Sequence, residues 1–201
     1  MDILDGLRAL FGFGAETEAT RAADPDDLFG MSTAYVTMSA NLDYEPIGIG
    51  ALGFAEIDST DFAASLDEVR EIIEAGDAGT IATVNTDSHG YKWVILKDPD
   101  FEDLVVGVHA AADEFIERGY GSRLLAAVFG FEHERTGEYA YWIYSFRRGA
   151  YYPFVPTGTS DRDNAQEFKL RSVLDGELDI EDDESYWYPL WPDRAGRHPW
   201  E

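Results

Sequence analysis

The chain has 201 residues, 45% hydrophobic and 14% aromatic, with 40 Asp or Glu against 15 Lys or Arg and a formal charge of -25. That apolar content builds a sizeable core and excludes a disordered acidic tail, while a surface this negative repels phosphate backbones and excludes sequence-independent nucleic-acid binding. With no cysteine there is no disulfide, thiolate nucleophile or cysteine metal site, and no run of ~18 apolar residues offers a membrane span.

Ile3, Leu4, Leu7, Leu10 and Phe11 stand at helical spacing in residues 1–13. Asp2 and Asp5 lie where a secretory signal is positive, which predicts a cytoplasmic chain. Residues 14–23 are small and polar, so 1–23 reads as an amphipathic leader and linker. Asp24-Pro25-Asp26-Asp27 carries a capping Asp, a Pro at the first helical position and acids on the positive end of the dipole, predicting a helix that continues through Leu42. Residues 46–57 read as a strand with three glycines, and Phe62, Leu66, Val69, Ile72 and Ile73 form the apolar stripe of a helix ending near Gly76.

Residues 80–86 and 91–97 read as two strands of a hairpin around Asp87-Ser88-His89-Gly90. Asp98-Pro99-Asp100 caps the clearest helix, lined by Phe101, Leu104, Val105, Val108, Ala112, Phe115 and Ile116 and ended by Gly119. Three further strands are predicted at 123–132, 138–147 and 150–156, with turns at Thr136-Gly137 and Arg147-Arg148-Gly149, and Ser160-Asp161 caps a last helix to about Leu174. This order lacks a regular βαβ rhythm and predicts an α+β fold, a mainly antiparallel sheet with helices packed on one face. Residues 24–176 form the single domain, and 177–201 are an acidic and then Trp/Pro-rich tail.

Groups able to do chemistry are sparse. His89, His109, His133 and His198 show no i, i+4 pair, so no metal site is expected. The cluster Asp98, Asp100, Glu102 and Asp103 fits helix capping better than catalysis. The acid-rich run 175–184 lacks the spaced ligands of a calcium loop and reads as solvated. No nucleophile elbow, Walker loop or dinucleotide fingerprint occurs, and Gly48, Gly50 and Gly53 read as close packing or a bulge. Neither a catalytic residue nor a cofactor is expected.

The most unusual stretch is an aromatic ribbon from Tyr139 to Phe154. In a strand Trp142, Tyr144 and Phe146 point one way and Tyr139, Tyr141 and Ile143 the other, so the strand is either covered twice or presents one sticky face. Aromatics beside arginines match the composition of interface hot spots. Trp142, Tyr144, Arg147, Arg148, Tyr152 and Phe154, with Trp187 and Trp191 of the tail, are therefore the partner-contact candidates. A buried aromatic core is the competing reading, with the tail covering the chain's own ribbon. The leader residues Ile3, Leu4, Leu7, Leu10 and Phe11 form a docking arm whose acidic polar side favours protein over an anionic membrane, leaving peripheral membrane contact as the lesser alternative.

The blocks Gly90-Tyr91-Lys92-Trp93-Val94-Ile95-Leu96, Asp98-Pro99-Asp100-Phe101-Glu102-Asp103-Leu104 and Leu124-Leu125-Ala126-Ala127-Val128-Phe129 resemble the phage-shock-protein-A-associated protein family PspAB. So do Tyr141-Trp142-Ile143-Tyr144, Arg148-Gly149 with Tyr152-Pro153-Phe154-Val155-Pro156, and Trp187-Tyr188-Pro189-Leu190-Trp191, in matching order from about residue 26 to 191. The resemblance implies a non-catalytic accessory role in a phage-shock-like membrane-stress response beside a PspA-type coiled-coil partner, with a membrane metalloprotease in the same context; it carries over no active site. Only Lys92, Lys97 and Lys169 are lysines, and the acids are spread evenly, as expected for the salt-rich cytoplasm of a halophilic archaeon. Two competing expectations stand beside this one. One is a small-ligand sensor or enzyme with a pocket between the sheet and the long helix, using His109, Tyr91, Asp163 and Arg162; the other is a homo-oligomer joined through an exposed strand or the tail.

Overall fold

The computed structural model describes residues 23–55, 60–76, 79–87, 89–191 and 198–200. The leader and its docking-arm residues Ile3, Leu4, Leu7, Leu10 and Phe11 lie outside the described residues.

Asp24 caps the first element, accepting from the Asp26 amide at 3.0 Å. In place of one continuous helix, a 3-10 helix, Pro25–Gly30, leads into α1, Met31–Leu42. Leu28 and Met31 are both buried, and the three-residue repeat of the 3-10 winding sets them on one side, facing the core. α1 stops at Asp43, whose φ of 56° turns the chain into β1, Tyr44–Phe54. This strand begins two residues earlier than its glycines indicate, because Tyr44 and Glu45 pair with His133 and Glu132 before the strand bulges. There follow α2 (Thr60–Gly76), the hairpin of β2 (Ile81–Thr86) and β3 (Lys92–Lys97), and α3 (Phe101–Glu117), capped by Asp100 through the amides of Glu102 and Asp103. The meander of β4 (Leu124–His133), β5 (Tyr139–Ser145) and β6 (Ala150–Phe154) leads to α4 (Asn164–Leu174).

The six strands form one sheet in the order β2-β3-β1-β4-β5-β6, antiparallel at every pairing. With the helices on one face, this is the expected α+β class. Period-2 alternation divides the strand residues between two cores. On the helix side, Leu52, Phe54, Val94, Leu96, Phe129, Phe131, Trp142 and Tyr144 pack with Met38, Leu66, Val69, Leu104, Val108 and Phe115. On the other side, Ala51, Trp93, Ile95, Val128, Tyr141, Ile143, Tyr152 and Phe154 pack with Trp187, Leu190 and Trp200 of the C-terminal segment.

The glycines of β1 make room on both faces of the sheet, Gly50 for α3 and Gly53 for the Trp93 ring. A Cβ on Gly50 would sit 2.7 Å from the Val108 side chain, and one on Gly53 would sit 2.9 Å from the Trp93 ring. Gly48 adopts φ +68° where the pairing with β4 shifts register between Pro46 and Gly50, so close approach and a bulge both hold.

Candidate functional site

The aromatic ribbon occupies β5, its turn and β6, and it is covered twice. Trp142, Tyr144, Tyr152 and Phe154 are all fully buried. Trp142 donates its indole N–H to Met38 Sδ at 3.1 Å, beneath α1. The Tyr144 hydroxyl bonds Asp27 Oδ2 at 2.8 Å and the Asp24 carbonyl at 3.2 Å, and Tyr151 donates to the Asp27 carbonyl, so the first 3-10 helix is pinned onto β5 and β6. On the opposite side Tyr152 donates to the Tyr188 carbonyl at 3.1 Å. An exposed contact surface built on Trp142, Tyr144, Tyr152 and Phe154 is therefore overturned. Both faces of these strands carry apolar side chains, and each face has its own cover.

Arg148 and Trp187 leave the surface as well. Arg148 Nε bonds Glu181 Oε2 at 2.6 Å with both side chains buried, and the guanidinium lies 3.9 Å from the Tyr186 ring centroid. The Glu181 bond raises the Arg148 pKa. Trp187 is buried and donates its indole N–H to the Glu181 carbonyl at 2.9 Å. Of the eight contact candidates, Arg147 is exposed and Trp191 half-buried, its ring against Phe154.

The run 175–184 differs from the solvated segment its acids predict. Tyr151 donates its amide to the Asp179 carbonyl and accepts from the Glu181 amide, both at 2.8 Å, so the segment lies along the outer edge of β6. Leu178 is buried, and the neighbouring carboxylates are used: Glu177 accepts from Thr37, and Asp182 and Glu184 meet Arg171. Alternation of acids with Leu178 and Ile180 was the sequence signal for an edge segment.

A second buried carboxylate, Glu167, lies in line with Leu170 and Leu174 on the inward side of α4. Sequence reasoning passed over it, although an acid at this spacing in an apolar stripe marks a buried charge. Glu167 accepts from Arg162 Nε and from the Val155 amide, each at 2.8 Å. Burial pushes its carboxyl above the usual range, opposed by the Arg162 bond. Arg162 also donates to the Trp187 carbonyl at 2.8 Å, fastening α4, β6 and the C-terminal segment at one point.

The four residues considered for a pocket are not brought together. His109 does meet a second ionisable group, with Nε2 2.9 Å from Asp26 Oδ1 and its ring against Phe29, but the Asp26 side chain is exposed to solvent. Asp163 accepts from the Gln166 amide as the cap of α4, and Arg162 is held by Glu167. Tyr91 lines a shallow apolar depression with Gly53, Phe54, Trp93, Leu125, Ala126 and Leu190, a lining without a carboxylate, imidazole or cation.

The remaining sequence candidates have structural partners. Asp100 caps α3, and buried Asp98 accepts from Thr80 Oγ1 at 2.6 Å and from the Asp100 amide at 2.8 Å. His133 Nδ1 accepts from the Arg135 amide at 3.2 Å in the β4–β5 turn. His198 stacks on Trp200 and lies against Tyr141. No cluster of three or more His, Cys, Asp or Glu side chains able to hold a metal ion occurs among the described residues, and no helix there is long and apolar enough to cross a membrane.

Fold and site together define an α+β protein whose sheet packs helices on one face and, over strands β1 and β3–β6, its own C-terminal segment on the other. The family model described as PspA associated protein B, PspAB, matches residues 1–200, and the chain belongs to this family. No match occurs among curated proteins or solved structures.

Proposed function

We propose that this chain is a non-catalytic accessory protein of a phage-shock-like membrane-stress response, acting in the cytoplasm by binding a PspA-type coiled-coil protein. The observation that carries this reading is membership of a PspA-associated family over nearly the whole chain. The disposition of the ionisable groups supports it: Arg148, Glu181, Arg162, Glu167 and Asp98 are engaged in holding segments of the chain together. With most of the aromatic ribbon enclosed, exposed Arg147, half-buried Trp191 and the docking arm read from the sequence of residues 1–13 are the remaining candidates for the partner contact. The even acidity and scarcity of lysine support a working environment of high salt.

Affinity capture at molar salt from the native cytoplasm tests this, comparing the intact chain with one lacking residues 1–13. Recovery of a PspA-type coiled-coil protein by the intact chain, lost on deletion, is the expected result. Failure to retain such a protein when both are purified and mixed at molar salt overturns the proposal.

A further inference from the structure

The two edges of the sheet are finished differently. Along β6 the outer edge is met by residues 179–181, which exchange two backbone hydrogen bonds with Tyr151. Along β2, at the other end of the strand order, the backbone amides and carbonyls of the strand bond no described group outside β2 and β3, and only the Asn85 side chain reaches elsewhere, donating to the Pro199 carbonyl. An edge of this kind holds a row of N–H and C=O groups directed outward, and proteins commonly blunt such edges with charge, proline or a bulge. β2, of sequence IATVNT, carries neither charge nor proline and pairs with β3 without a register shift. Five of its six side chains are exposed: Ile81 is 58% and Val84 38% accessible, with Thr83, Asn85 and Thr86 exposed beside them, while Ala82 is buried in the helix-side core.

We propose that β2 is a self-association edge, at which a second copy of this chain adds its own β2 in antiparallel register to give one continuous twelve-stranded sheet. A two-fold axis normal to the sheet at Thr83 sets that residue opposite itself and Ile81 opposite Asn85 of the second copy. A charged strand would meet its own charge in such a pairing; this one meets none. Charge distribution favours the same occupant. Two molecules of formal charge -25 approach most readily where acid is least dense. Lys92 and Lys97, two of the three lysines in the chain, pair with Thr86 and Ile81 and bring positive charge to both ends of this edge. The outward amides then gain partners, and Ile81 and Val84 lose exposed apolar surface on opposite faces.

Sedimentation and light scattering of the full chain at molar salt, over a range of protein concentrations, read the assembly directly. The expected mass is twice the 22.4 kDa of one chain. Self-association is expected to strengthen with added salt, since screening removes the repulsion between two acidic molecules, whereas an interface held by ion pairs would weaken. Ile81→Glu and, separately, Thr83→Glu lie at exposed positions and are expected to weaken dimerisation at least tenfold with unchanged circular dichroism. Exchange of the β2 amides is expected to slow with rising protein concentration. A single-chain mass throughout, a dimer indifferent to both substitutions, or β2 amides equally protected at every concentration would overturn the proposal; the last would place another segment of the same chain on this edge.

Discussion

Arg148 and Glu181 form an ion pair removed from solvent, and its worth is felt when one partner is lost. Glu181→Gln leaves a guanidinium buried against Tyr186 without its counter-charge, and a loss of about 3–5 kcal/mol in denaturant unfolding is expected. Replacing both, Arg148→Met with Glu181→Leu, is expected to restore much of that loss, because no uncompensated charge remains. Enclosure also makes the molecule sensitive to alkali. Burial raises the phenols of Tyr44, Tyr151 and Tyr152 in the fold, whereas unfolding returns them to ~10. The stability they contribute is complete below that pH and is lost as pH rises through the higher folded values. Tyrosinate absorbance from these three is therefore expected to appear together with loss of the far-ultraviolet signal, and early ionisation in a folded chain would contradict their burial.

Among the elements, the C-terminal segment covers a whole face of the middle strands with a few large side chains. It supplies Trp187, Leu190 and Trp200 to the second core, with Trp200 against Trp93 at 5.2 Å and Tyr141 at 5.3 Å between ring centroids. Asn85 reaches it by donating to the Pro199 carbonyl at 2.9 Å. Trp200→Ala is expected to cost about 3–5 kcal/mol through the cavity it leaves. Trp200→Phe is expected to cost much less, because the buried indole N–H has no hydrogen-bond acceptor among the described residues, so removing it sacrifices no bond. Thermal melts of the two variants distinguish a packing role from a polar one. The same scale explains why the ribbon's setting was illegible: alternation states which residues share a face, whereas a cover supplied by Trp187, Leu190 and Trp200 comes from more than thirty positions away.

At the scale of the whole molecule, charge decides the conditions under which this fold is compact. The carboxylates that are paired, such as Glu167, Glu177 and Glu181, lie at junctions between elements, while many others are spread over the exposed faces. Self-repulsion among these is screened over roughly 3 Å at ~1 M salt and over far longer distances in dilute buffer. Cooperative unfolding is therefore expected at a lower temperature, with an expanded hydrodynamic radius, below roughly 0.5 M salt. A melt unchanged in dilute buffer would separate the acidity from any salt requirement.

Local sequence determined the element list: caps at Asp24 and Asp100, the hairpin around Asp87, the turns at Gly137 and Gly149, and the two-residue alternation of β5 all act over a few residues and read directly from the letters. It also determined the α+β class and the family resemblance. Tertiary structure alone decided that Trp142, Tyr144, Tyr152 and Phe154 are interior, that Arg148 has Glu181 as partner, and that one sheet edge is guarded while the β2 backbone bonds no described group outside β2 and β3. The reason is physical: propensity and periodicity describe what a segment can bury, but what it is buried against depends on long-range contacts whose partners are set only when the whole chain has packed.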